Sequence, residues 1–161
     1  MKRTCLAFLM VSISVFAVLC TTMTSLAAPP TRQPFSATIQ SGPPQSIEKM
    51  WVDEEGITHI RGASLTGTMA GDINGQIVGK ENLNVDATFA GDLQVKVVIE
   101  VASEPLYKMS ADLVIKAYVL SGTFVIQGTG SLKGIQIKGT ISGTLGDTTA
   151  TLAGTQVIVH P

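Results

Sequence analysis

Cysteine occurs only twice in the 161 residues, at Cys5 and Cys20, and nowhere beyond. Histidine is equally scarce, with His59 and His160 alone. A chain so poor in both cannot build a histidine-rich metal centre. Once the first 28 residues are removed it also lacks thiol chemistry, cysteine-bound zinc and disulfides. Aromatic side chains make up 5% of the chain, and charged ones 14% with neither sign clustered. Nucleic acid and anionic membrane surfaces are therefore poor partners, because both call for concentrated Lys or Arg. An outer-membrane barrel would need aromatic girdles at two interfaces. Trp51, Tyr107, Tyr118 and three phenylalanines beyond residue 28 are too few for that.

The first 28 residues are a different material. Lys2 and Arg3 precede an apolar run from Cys5 to Met23, and the small residues Ser25, Ala27 and Ala28 follow, just before Pro29 and Pro30. This is the layout of a secretory signal peptide. Ser12, Ser14, Thr21 and Thr22 interrupt the run, which argues against a retained membrane anchor. The expected mature protein is secreted, periplasmic or part of the cell envelope, with no integral membrane span. Loss of Lys2 and Arg3 takes its formal charge from −1 to −3. It enters an oxidising compartment without a disulfide, so its stability must come from one proper core.

What is abundant is strand material. Between Pro44 and Pro161 the only proline is Pro105, in a stretch rich in Val, Ile, Thr and Gly. A two-residue period dominates. Ile135, Ile137, Gly139, Ile141, Gly143 and Leu145 share one face, against Gln136, Lys138, Thr140, Ser142 and Thr144. Leu93 to Val101 form a second apolar row. A third runs from Ile77 through Gly79, Glu81, Leu83, Val85 and Ala87 to Phe89. A fourth holds Leu113, Ile115, Ala117 and Val119. Strands are expected near 35–40, 46–52, 57–64, 65–72, 76–90, 92–102, 111–119, 121–129, 131–145 and 148–159, some neighbours being one bent strand. Residues 29–45 read as an N-terminal leader with a short strand, and 46–160 as the barrel domain. With no helix to cover the apolar faces, the strands must close or form a sandwich. All 16 glycines lie beyond residue 28, many inside strands, which suits the coiling of a small barrel. The fold class is all-β, a closed antiparallel barrel of about eight strands.

Two segments carry a resemblance. Trp51-Val-Asp-Glu-Glu-Gly-Ile-Thr-His-Ile-Arg-Gly62 is similar to the opening of small secreted proteins of the allene oxide cyclase-like barrel superfamily, which includes the dirigent proteins. The glycine-rich stretch Gly122–Thr140 resembles a hairpin of the same group, and the likeness spans roughly 46–160. It implies an eight-stranded barrel, calycin-like in outline, with apolar or phenolic substrates bound inside. No catalytic residue of the cyclase matches this chain one by one, so the resemblance implies fold and leaves activity open.

Five side chains are candidates for ligand contact: Glu81, Arg61, His59, Trp51 and Tyr118. Glu81 falls in an apolar row, where burial would be costly unless it is paired, and would raise its pKa. It is either a polar anchor inside the barrel or is turned outward by a bulge near Gly79. Arg61 shares a face with His59 and could pair with Glu81. His59 titrates near neutrality, and Trp51 and Tyr118 could stack on a flat ligand at a cavity mouth. Each of these four has an ordinary surface or packing alternative. Asp53, Glu54 and Glu55 read as a solvated turn. No catalytic motif, cofactor site or metal-ligand spacing is present. The leading expectation is a barrel binding a small apolar or aromatic ligand. The others are a packed envelope or protein-interaction domain, which leaves room for a homo-oligomer, and an isomerase or cyclase using Glu81 and Arg61. The balance leans away from an enzyme.

Overall fold

The computed structural model describes residues 29–146 and 148–159; the leader read over 1–28 and His160 lie outside the described residues. Nine strands follow one another: β1 (Thr31–Ser41), β2 (Lys49–Val52), β3 (Thr58–Gly71), β4 (Gly75–Val85), β5 (Gly91–Val101), β6 (Glu104–Lys116), β7 (Val119–Gly128), β8 (Ile135–Thr144) and β9 (Thr149–Ile158). A 3-10 turn at Gly130–Leu132 joins β7 to β8, and no α-helix occurs among the described residues. Strands β3 to β9 pair in sequence as an antiparallel meander. β1 pairs with β9 on one side and β3 on the other, which closes an eight-stranded barrel. β2 is an extra strand on the first half of β3.

Alternation in the sequence becomes inside and outside in the barrel. Ile137 and Ile141 are buried while Lys138 and Thr140 between them are exposed. Leu93, Val95, Val97 and Ile99 on β5 and Met109, Ala111, Leu113 and Ile115 on β6 are all buried. One inward row shows how tight curvature is achieved. Phe35, Gly154, Gly139 and Phe124 are successive cross-strand partners. A Cβ at Gly139 would lie 2.0 Å from the Ala153 carbonyl oxygen and 2.5 Å from the Gly154 Cα. Two glycines thus let β8 and β9 coil closely, and the rings of Phe35 and Phe124 meet over them, 5.9 Å apart and tilted by 53°. Aromatic rings covering strand glycines are a known device of curved sheets.

The ladder refines the sequence reading in several places. The stretches read over 57–64 and 65–72 are two neighbours that make one bent strand, β3; a bulge at Arg61 and Gly62 bends it, and Gly62 takes a φ of 64°. Residues 31–34, read as part of a leader, pair with β9 and belong to a barrel strand. Pro34 fits there opposite Thr155. Two stretches read as strand ends are turns instead: 86–90, where Phe89 takes a φ of 56°, and 117–118. Ala117 and Tyr118 have φ of 48° and 72° and form a two-residue hairpin turn between β6 and β7.

The interior is not uniform along the barrel axis. At the end where β1 enters, Phe35, Met69, Ile77, Ile99, Phe124, Ile126 and Ile137 are 0–3% exposed. This end is a solid core, each such side chain contributing about 1.5–3 kcal/mol by burial. The opposite end, where β1 leaves and β5 begins, is open.

Candidate functional site

The open end holds a cavity of about 390 Å3. Its walls are Leu65 of β3, Leu83 of β4, Leu93 and Val95 of β5, Met109 and Leu113 of β6 and Ile141 of β8. Pro43 and Pro44 form part of the rim. They sit where the ladder along β3 is interrupted. The Gly42 amide bonds the Thr66 carbonyl, and pairing resumes at Ser46, whose carbonyl accepts from the Ser64 amide. A Pro-Pro pair offers no amide to β3, so the chain bows outward between these points.

Glu81 lines this cavity. Its cross-strand partners are Ala63 and Val95, both buried, so the alternation of β4 aims it inward. The bulge that would have turned it outward is not near Gly79 but on the neighbouring strand, at Arg61 and Gly62. Nothing among the described residues forms an ion pair or hydrogen bond with the Glu81 carboxyl. Burial therefore acts unopposed and raises its pKa above the ordinary carboxylate value.

Arg61 does not reach Glu81. Its guanidinium donates to the carbonyls of Ile60 (2.9 Å) and Leu83 (3.0 Å) and to Asn84 Oδ1 (2.6 Å). The bulge is the cause, because it places Arg61 with His59 and Asn84. There it belongs to a second cluster. His59 Nε2 lies 2.7 Å from Asp53 Oδ2, and His59 Nδ1 lies 2.7 Å from Asn84 Oδ1. The Asn84 amide nitrogen donates to both carboxylate oxygens of Asp92, at 3.1 and 2.9 Å, which fixes its oxygen toward His59. Both imidazole nitrogens thus face acceptors, an arrangement satisfied by the doubly protonated ring. The hydrogen bond to Asp53, then that to Asn84, raises the His59 pKa above the ordinary imidazole value, and the same His59 contact lowers that of Asp53.

Trp51 of β2 lies flat on the His59 ring, 4.7 Å between centroids and 17° between planes, with Lys49 and Arg61 over the indole. Asp53 also closes the β2–β3 turn, accepting the Ile57 amide through Oδ1 at 2.8 Å. The cluster is a clasp that holds β2 against the barrel wall. Tyr118 stacks on Phe89, 4.3 Å between centroids, and so joins two turns of the open end. Neither Trp51 nor Tyr118 is among the residues that line the cavity; of the two alternatives read for them, packing on a neighbouring ring is the one seen.

Of the five candidates, then, Glu81 is in the cavity, His59, Arg61 and Trp51 form the clasp, and Tyr118 lies on the outer rim. Sequence reasoning missed Asp53 and Asn84 as partners of His59, since cross-strand register alone brings His59 and Asn84 together. It also missed Pro43 and Pro44 as the rim, although their inability to continue a ladder was the signal. Among the described residues no group of three or more His, Asp or Glu could hold a metal ion. The class defined by fold and site is a closed antiparallel barrel with one solid end and one hollow, acid-bearing end. In comparisons with known proteins the chain matches no family model, no curated protein and no solved structure.

Proposed function

We propose that this protein is an exported barrel that binds a small apolar molecule in its open end. The observation that carries the reading is the cavity of about 390 Å3 walled by leucine, valine, isoleucine and methionine. Its size falls within the range of ligand sites, roughly 300–1,000 Å3, and a few polar groups in a mainly apolar wall are typical of them. Eight-stranded barrels can be filled entirely by their own side chains. Here the solid half is filled that way and the other half is not. Export is supported by the order of charge, apolar run and small residues over positions 2–28. A cyclase would need a second polar partner near Glu81, and Arg61, the expected one, is committed to Asn84 and backbone carbonyls.

The test is a titration of the full chain, purified from a secreting host, with an environment-sensitive apolar dye. Saturable binding of one dye per chain, abolished by filling the cavity with Ala150→Leu or Val95→Phe, both at lining positions, is expected. Dye binding that is non-saturable, or unaffected in a folded filled variant, overturns the reading. Mass spectrometry of the protein under native conditions would then identify any co-purifying molecule.

A further inference from the structure

An apolar cavity has no need of a carboxyl group, and this one has Glu81 on its wall. The described residues that line it include no Lys, Arg or His. Around Glu81, β3 presents Ala63 and Leu65 and β5 presents Leu93 and Val95, all uncharged. The nearest cations are turned elsewhere: Arg61 bonds Asn84, and Lys80 pairs with Glu48 on the outer surface. A carboxylate held so is an acceptor without a donor. We propose that the molecule bound in the open end is an apolar amine, its nitrogen donating to Glu81 and its hydrocarbon part lying along Leu65, Leu93, Met109 and Leu113. This rests on the cavity being a ligand site, and adds the chemical class of the ligand.

Chemistry separates the amine from other apolar ligands. A fatty acid would bring a second carboxylate beside Glu81, where like charges in a poorly solvated site repel. An alcohol would donate one neutral hydrogen bond. A protonated amine supplies up to three donors and the opposite charge, and charge-assisted hydrogen bonds are about twice as strong as neutral ones. Burial that penalises the lone carboxylate is relieved when the ammonium enters with it, so the same feature that makes Glu81 unfavourable in the free barrel favours the pair. The cavity volume corresponds to about a dozen water-sized groups, which suits a ligand of modest length.

Three probes with one eight-carbon chain, octylamine, octanol and octanoate, distinguish the possibilities by calorimetric titration of the full chain and of Glu81→Gln and Glu81→Leu. The expected order in the native protein is octylamine, then octanol, then octanoate, with the amine at least about tenfold tighter than the alcohol. In Glu81→Gln the amine should lose that advantage while octanol changes by less than about threefold. Equal binding of amine and alcohol by the native protein, or an amine preference that survives Glu81→Gln, overturns the amine assignment but leaves the cavity as a ligand site. No binding of any probe, even by folded Glu81→Leu, overturns the ligand site itself.

Discussion

The two ends of the barrel are built from the same alternating strands yet solve opposite problems. At the end where β1 enters, inward positions carry Phe35, Ile77, Phe124, Ile126 and Ile137, and the most exposed of them shows 3% of its surface. At the other end Leu65, Leu93 and Val95 reach 7–8%, because each has a face on the cavity. The difference lies in what occupies the barrel axis. No aromatic side chain is among the residues that line the cavity, whereas the rings of Phe35 and Phe124 meet at the packed end. Packed core and open space are thus separated along one axis, the solid end holding the open end in shape.

Substitution at the packed end should have the largest effect. Phe124→Ala removes a side chain 1% exposed and also its contact with Phe35, and is expected to cost about 3–5 kcal/mol in urea denaturation. Gly139→Val should be comparably severe, since its Cβ meets backbone atoms that cannot move without opening the β8–β9 ladder. Leu93→Ala at the open end is expected to cost less, about 2 kcal/mol, because it enlarges a space that already exists. It should also admit a bulkier ligand. Equal costs at Phe124 and Leu93 would mean that the two ends are packed alike and the contrast is wrong.

Glu81 offers a sharper test, because there the expected sign is reversed. Its folded-state pKa is raised, so the fold favours the neutral acid, and the penalty sets in as pH climbs from the ordinary carboxylate value through the folded one. Glu81→Leu should therefore stabilise the protein at pH 7, by on the order of 1 kcal/mol, with a smaller gain at pH 4. A Glu81→Leu variant less stable than the native chain at pH 7 would show that the carboxyl is structural.

How much of this was legible follows from what sets each feature. The inward rows of β5 and β8 were plain because alternation is a property of consecutive residues. Glu81 was visible as an acid in an apolar row, but its direction depended on where the bulge fell, and the bulge lies on another strand. The Ala117–Tyr118 turn was hidden, since neither residue is the Asn or Gly that marks such turns. Left-handed backbone at these residues costs about 1–2 kcal/mol each. The stack of Tyr118 on Phe89 helps to offset it. The clasp was legible only in part: His59 and Arg61 share a face in the sequence, whereas Asn84 joins them through register.

The clasp gives the smallest expected effect and the finest test of how independent the open end is. Because the His59 pKa is raised, its contribution is fully present below the ordinary imidazole pKa and is lost as pH rises through the folded value. Because the Asp53 pKa is lowered, its contribution is present above the ordinary carboxylate pKa and is lost as pH falls through the folded value. The β2 strand should thus be held tightest at weakly acidic pH and loosen on either side. Trp51 is the only tryptophan, so its emission reports the clasp directly. A fluorescence change centred above the usual imidazole pKa, absent in His59→Gln, is expected, with little shift in the overall melting temperature. The amides of Lys49–Val52 should be less protected, relative to their intrinsic rates, at pH 8.5 than at pH 6, while those of β7 and β8 at the packed end stay protected. Loosening that spread to Ile126 and Ile137 would show that the two ends unfold as one unit, and that the solid end does not hold its shape without the clasp.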